Sequence, residues 1–286
     1  MTSTQRTTRD VAEAAVDPVQ GSNQVAHAGE PLLTVEHVQI GYPVKGKTHV
    51  AVHDVSFEVS AGETIILLGP SGCGKSTLLK AVAGFIEPLG GDIRVVGRQT
   101  LTPGPDRAVV FQEFDQLFPW RTVTDNLAYP LRVNGKDKAE ANRLAVQYLE
   151  LMGLTAAADR YPHQLSGGMK QRVAIARAMA LEPLMLLMDE PFGSLDAQTR
   201  ARLQRELNDV AERTKVTILF VTHSIQEAIY LGHRVVVLDK APSTVLEIVD
   251  VSGLADPAHP DFTDALQHLR SLLADDASEL QNVAFE

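Results

Sequence analysis

Nine consecutive residues, Gly69-Pro70-Ser71-Gly72-Cys73-Gly74-Lys75-Ser76-Thr77, set three glycines just ahead of a lysine and two hydroxyls. Glycines let successive backbone amides turn toward one anion, and a helix starting at the lysine adds partial positive charge at the same point. The spacing is that of a phosphate-binding loop, in which Lys75 bridges the outer phosphates of a nucleotide and the Ser76 hydroxyl meets Mg2+. A glycine-rich turn without a ligand is the competing reading. The flanks argue against it, because the apolar run 63–68 reads as a strand and 76–83 as a helix.

Two further groups carry chemistry only in company. Leu184-Met185-Leu186-Leu187-Met188 runs into Asp189-Glu190, so a buried strand would deliver two acids to the carboxyl edge of a parallel sheet, where such sheets bind ligands. Asp189 suits a Mg2+-linked role. Glu190 suits a base for the water that attacks a phosphoryl group. Without the strand and the loop, the pair reads as solvated surface. Leu165-Ser166-Gly167-Gly168-Met169-Lys170-Gln171-Arg172 opens a helix with Ser166 at its N-cap and Val173, Ala176 and Ala180 on its inner face. Taken alone it is a capped helix; beside the other two motifs it is a second helix N-terminus offered to an anion.

The elements that must position these residues follow from the apolar periods. Segments 32–40 and 50–59 alternate apolar and polar residues, which predicts an antiparallel lobe. Short apolar runs at 63–68, 184–188, 216–221 and 234–238 are followed in several cases by helical patterns, which predicts a mostly parallel sheet covered by helices. Between Gln112 and Ala180 the pattern is helical without strands, including 136–152 with Leu144, Tyr148, Leu151 and Met152 on one face and Gly153 at its end. Phe262, Leu266, Leu269 and Leu273 form a last helical stripe, read as a docked helix. The expected organisation is a flexible tail over 1–30, a catalytic domain over 31–251 with a helical subdomain inserted at about 113–180, and a short helical extension over 252–286.

Composition removes several classes. The 286 residues are 44% hydrophobic and 22% charged, as in ordinary globular proteins. A net charge of -10 opposes a life on nucleic acid, whose affinity comes from clustered Lys and Arg. Cys73 is the single cysteine, so no internal disulfide forms. No run reaches the ~20 apolar residues of a membrane-spanning helix, so a membrane role would be peripheral. The first 30 residues lack the apolar core of a secretory signal.

In this order the three motifs resemble those of the ATP-binding-cassette (ABC) ATPases, over roughly 32–251. The resemblance implies a P-loop NTPase core of RecA-like type, with ATP and Mg2+ bound. It makes Tyr42 the aromatic that stacks on adenine, although the segment 43–49 leaves its register open. Gln112 becomes the link from Mg2+ and water to the helical subdomain, Asp196 in Gly193-Ser194-Leu195-Asp196 the aspartate that crosses a dimer, and His223 the contact to the γ-phosphate. Ser166, Gly167 and Gly168 then face the nucleotide of a partner, so one set of motifs implies a homodimer with two composite sites. Cys73 occupies a variable small-residue position with no catalytic task.

Phe111-Gln112, Phe118-Pro119-Trp120-Arg121, Tyr161-Pro162-His163-Gln164 and Val221-Thr222-His223-Ser224-Ile225-Gln226-Glu227-Ala228 are similar to importer ATPases for nitrate, sulfonates and taurine. That group implies an integral membrane permease, a solute-binding protein and a place on the cytoplasmic face of the membrane. An exporter ATPase shares every catalytic motif, and a soluble non-transport ABC protein or a small-molecule kinase with a phosphate loop are remoter alternatives. Phe114, Leu117, Phe118 and Trp120 follow Gln112 closely; they are either core of the helical subdomain or the lining of a groove for a permease helix.

Overall fold

The computed structural model describes residues 30–44, 46–99, 102–112 and 116–282. Residues 1–29 of the tail expected over 1–30, and Phe114, lie outside the described residues.

In chain order the elements are β1 (Leu33–Val44), β2 (Lys47–Val59), β3 (Thr64–Leu68), α1 (Lys75–Val82), β4 (Gly90–Val95), β5 (Arg98–Gln99), β6 (Arg107–Val110), α2 (Val123–Val133), α3 (Lys138–Leu151), α4 (Gly167–Met179), β7 (Met185–Asp189), α5 (Ala197–Thr214), β8 (Thr217–Thr222), α6 (Ile225–Leu231), β9 (Arg234–Leu238), β10 (Val245–Asp250) and α7 (Pro260–Asn282). One four-stranded sheet has the order β2-β1-β4-β5 with antiparallel neighbours. A six-stranded sheet has the order β10-β9-β3-β8-β7-β6, parallel throughout except where β10 returns along β9.

The uninterrupted apolar runs arise because this second sheet is covered on both faces. Ile66, Leu68, Leu186, Met188, Ile218 and Phe220 point into one cluster with α2, α4 and α5. Their alternates Ile65, Leu67, Met185, Leu187, Leu219 and Val221 point into the other, which includes α1 and the antiparallel lobe. A period of two thus sorts a featureless apolar string into two cores. One consequence positions the site. Parallel strands end on the same side, so β3, β8, β7 and β6, adjacent in that order, deliver the segments after Leu68, Thr222, Asp189 and Val110 to one edge.

The predicted helix over 136–152 begins at Lys138, because the Asp137 side chain accepts from Glu140 N at 2.9 Å and caps it. Gly153 follows at φ +62 as expected of a helix terminator. On that helix Leu151 is only half-buried, and Ala141, Ala145 and Leu149 share the buried face instead. Strands β4, β5, β6 and β10 were not expected. Helix α7 docks through fully buried Leu269, with Phe262, Leu266 and Leu273 packed around the same core. Among the described residues no helix is long and apolar enough to cross a membrane.

Candidate nucleotide-binding and catalytic site

The loop after β3 is shaped by what its glycines exclude. A Cβ on Gly69 would fall 2.7 Å from the Leu238 carbonyl oxygen and 2.9 Å from Cys73 Sγ, so only hydrogen fits where the loop leaves the sheet. Gly72 and Gly74 take φ of +81 and +103, conformations that glycine adopts without the Cβ penalty. Gly74 then stands as the N-cap of α1. Lys75 is 4% exposed, and its ammonium donates to the carbonyls of Gly69 (2.9 Å) and Pro70 (2.8 Å). The charge is therefore desolvated and held at the loop. Cys73 is buried beneath it, and burial pushes its thiol above the ordinary value, which favours the unreactive protonated form. Tyr42, near the end of β1, donates from its hydroxyl to Thr77 Oγ1 at 2.9 Å, so its ring stands beside the start of α1.

At the neighbouring strand ends the Ser76 hydroxyl donates to Asp189 Oδ1 at 2.6 Å. Burial pushes the Asp189 carboxyl upward, and the bond from Ser76 and the charge of Lys80 oppose it. Glu190 follows at φ +44, a left-handed conformation that is uncommon for a residue with a side chain, while its amide still donates to the Val221 carbonyl at 3.1 Å. That turn away from the strand brings Glu190 Oε2 to 3.0 Å from His223 Nδ1. Gln112 reaches the same place. Its Nε2 lies 3.1 Å, and Glu190 Oε2 3.7 Å, from the point a Cβ on Gly193 would occupy. Behind them is a cavity of about 30 Å3 bordered by Glu190, Gly193, Arg200, Thr222, His223 and Glu227.

Ser166, Gly167, Gly168 and Asp196 form a second group. Ser166 caps α4, accepting from Met169 N at 3.4 Å. Asp196 caps α5, accepting from Gln198 N and Thr199 N at 3.1 and 3.0 Å, and the Thr199 bonds hold its exposed carboxyl below the ordinary value. The two helix starts touch: a Cβ on Gly168 would fall 2.6 Å from Thr199 Cγ2. Hydrogen bonds and packing thus gather Tyr42, the 69–77 loop, Asp189, Glu190, Gln112 and His223 on one edge, and Ser166 to Gly168 with Asp196 around a second pair of helix ends. Sequence reasoning gave no individual role to Thr222, Arg200 or Glu227, which border the cavity; Thr222 and Glu227 stood only within the 221–228 segment similar to importer ATPases, and Arg200 only near Asp196 in the chain.

The family model for ABC transporters matches residues 52–193, from β2 through the phosphate loop, the Ser166 turn and the two acids. The taurine import ATP-binding protein TauB of Rhizobium johnstonii is 40% identical over 253 residues, covering 85% of this chain and 96% of that protein. The chain belongs to the ABC transporter ATP-binding family. The nitrate import ATP-binding protein NrtC of Synechococcus elongatus is 46% identical over 223 residues, and there this cassette spans 34% of the relative's length. A dimeric ATP-binding cassette, MJ0796, solved in a post-hydrolysis state bound to ADP and phosphate, superposes with a TM-score of 0.68 at 30% identity, covering 77% of this chain and 99% of that one. The two sheets and the helices around them are accordingly those of an ABC cassette with a P-loop NTPase core. Tyr42, Asp196 and His223 lie outside the matched segment of the family model, and their placement rests on the geometry above.

Proposed function

We propose that this chain is the ATP-hydrolysing subunit of an ABC importer for a small anionic solute of the nitrate or sulfonate type. It works as one of two copies beneath an integral membrane permease, peripheral on the cytoplasmic face, with a solute-binding protein delivering the solute. The observation that carries the enzymatic part is the Glu190–His223 pair standing at the strand edge beside Ser76 and Asp189. The names of the similar proteins carry the importer part, together with the Pro119-Trp120 segment.

Ser76 and Asp189 offer hard oxygens of the kind Mg2+ takes, and among the described residues no group of three or more His, Cys, Asp or Glu would hold a metal alone. That donor set fits an ion completed by phosphate oxygens and water. Such an ion supplies charge neutralisation on the phosphates. Lys75 exchanges two neutral carbonyl acceptors for anionic phosphate oxygens, a stronger partner for a buried ammonium. Glu190 accepts a proton from water as the water oxygen bonds to the γ-phosphorus and the bond to the leaving ADP oxygen breaks. His223 orients Glu190 and faces the γ-phosphate, and Gln112 joins that cluster to the helical segment beyond it. Ser166, Gly167 and Gly168 present the start of α4 to the nucleotide of the second copy.

Glu190→Gln tests the assignment because it keeps the shape and removes the base. Turnover should fall by roughly 10²–10⁴ while ATP still binds and holds two copies together. Near-parent hydrolysis by purified Glu190→Gln protein would remove Glu190 from the role of base.

A further inference from the structure

One carboxylate outside the assigned machinery joins three elements behind it. Glu227, on α6, is 9% exposed. Its Oε2 accepts from Thr222 Oγ1 at 2.5 Å, and Thr222 immediately precedes His223. The same Thr222 oxygen accepts from Ser224 N at 3.0 Å, so the backbone is pinned on both sides of His223. On the other side, Glu227 Oε1 accepts from Gln204 Nε2 of α5 at 3.0 Å and faces Arg200 Nε at 3.9 Å. Arg200 Nη2 donates to the Leu195 carbonyl at 2.8 Å, one residue before Asp196. Two turns given separate roles in hydrolysis and pairing are thus tied to one buried acid.

We propose that Glu227 is a positioning residue for the hydrolysis site, holding the His223 turn and the Asp196 turn in one fixed relation. The physical case is that a carboxylate removed from water is costly unless its partners are well placed. Here two of the partners matter for where they sit: Thr222 and Arg200 each bond to the backbone next to a residue of the site. An apolar residue would fill the space between α5 and α6 without making those links. The inference rests on the roles proposed above for His223 and Asp196.

The test is steady-state ATP hydrolysis by the full chain carrying Glu227→Ala, Glu227→Gln, Arg200→Ala, or Glu227→Ala with Arg200→Ala, each with its melting temperature. Glu227→Ala should lower kcat by about tenfold or more while KM for ATP stays within about twofold, the pattern of a lost transition-state alignment. Glu227→Gln, which keeps an oxygen acceptor, should recover kcat to within about threefold of the parent. Because Arg200 and Glu227 act through one link, the double variant should lose no more than the worse single. Parent-like kcat in Glu227→Ala or Arg200→Ala would overturn the inference, as would losses that multiply in the double variant or merely track the fraction of folded protein. Should Glu227→Ala fail to fold, Glu227→Gln and Arg200→Ala decide: parent-like kcat in Arg200→Ala overturns the link. An unsubstituted chain that hydrolysed no ATP would instead refute the reading beneath it.

Discussion

Asp189 illustrates how a binding residue works against the fold that holds it. Its carboxyl is pushed upward by burial, with Ser76 and Lys80 only opposing the shift. A raised value means that the folded chain binds this proton more tightly than the unfolded chain does. The group's contribution to stability is therefore present below the ordinary carboxylate value and is lost as pH rises through the raised one. Asp189→Asn removes the charge and keeps an acceptor for the Ser76 hydroxyl. The ligand-free variant should melt at or above the parent temperature near neutral pH, and the advantage should fade on acidification through the carboxylate range. Its melting temperature should no longer rise with Mg2+ and ATP as the parent's does. Melting curves at the two pH values, with and without nucleotide, check both halves. The order of Asp189 and Glu190 was legible in the sequence because a buried strand ends there. The left-handed turn at Glu190 was not, since nothing in the residue type announces φ +44.

At the scale of elements, the aromatic segment after Gln112 divides into two kinds of residue. Phe118 packs edge-on to Tyr129 at 5.0 Å, lies 5.7 Å from Trp120, and carries the Arg177 guanidinium over its ring at 5.7 Å. Leu117 is buried, whereas Trp120 is 71% exposed. Trp120 is then the better candidate for an anchor in a permease groove, because an exposed indole gains the most from being covered. Trp120→Ala should leave the melting temperature within a degree or two and abolish pull-down of the permease, while Phe118→Ala should lower the melting temperature. Equal pull-down by Trp120→Ala and the parent would place the contact elsewhere. The elements legible beforehand carried a strong signal: the alternating strands β1 and β2, the apolar runs of the doubly covered β3, β7, β8 and β9, and the helices α1, α3, α4 and α7. The missed strands lack that signal. β5 has two residues and β6 four, β4 opens with Gly90-Gly91-Asp92, and β10 leaves Leu246 and Ile248 exposed. Pairing makes them strands: β4 lies along β1 and β6 along β7, both distant in sequence, while β5 and β10 fold back on the strands just before them.

At the scale of the whole molecule, the proposed pairing of two copies would complete each group of site residues with the other group from the second copy. The start of α4 packs closely on the first turn of α5 at Gly168 and Thr199, so the Ser166 and Asp196 caps stand on one face. Ser166→Arg alters that face without touching the phosphate loop. The variant should bind nucleotide with near-parent affinity, yet fail to form the ATP-dependent dimer and lose hydrolysis. Size-exclusion chromatography with Lys75→Ala chains added should show mixed dimers, because one site in the mixture is intact in both halves. Unimpaired dimers of Ser166→Arg alone would refute a role for this face across copies.

The single thiol of the chain lies under the phosphate loop, with burial disfavouring its reactive form. The rest of the sequence is therefore a blank background for covalent probes. A cysteine placed on the exposed face of α5 would react with a maleimide while Cys73 stays shielded. Paired spin labels on two copies would then report how far the cassettes separate as ATP is consumed, without any native residue first being removed.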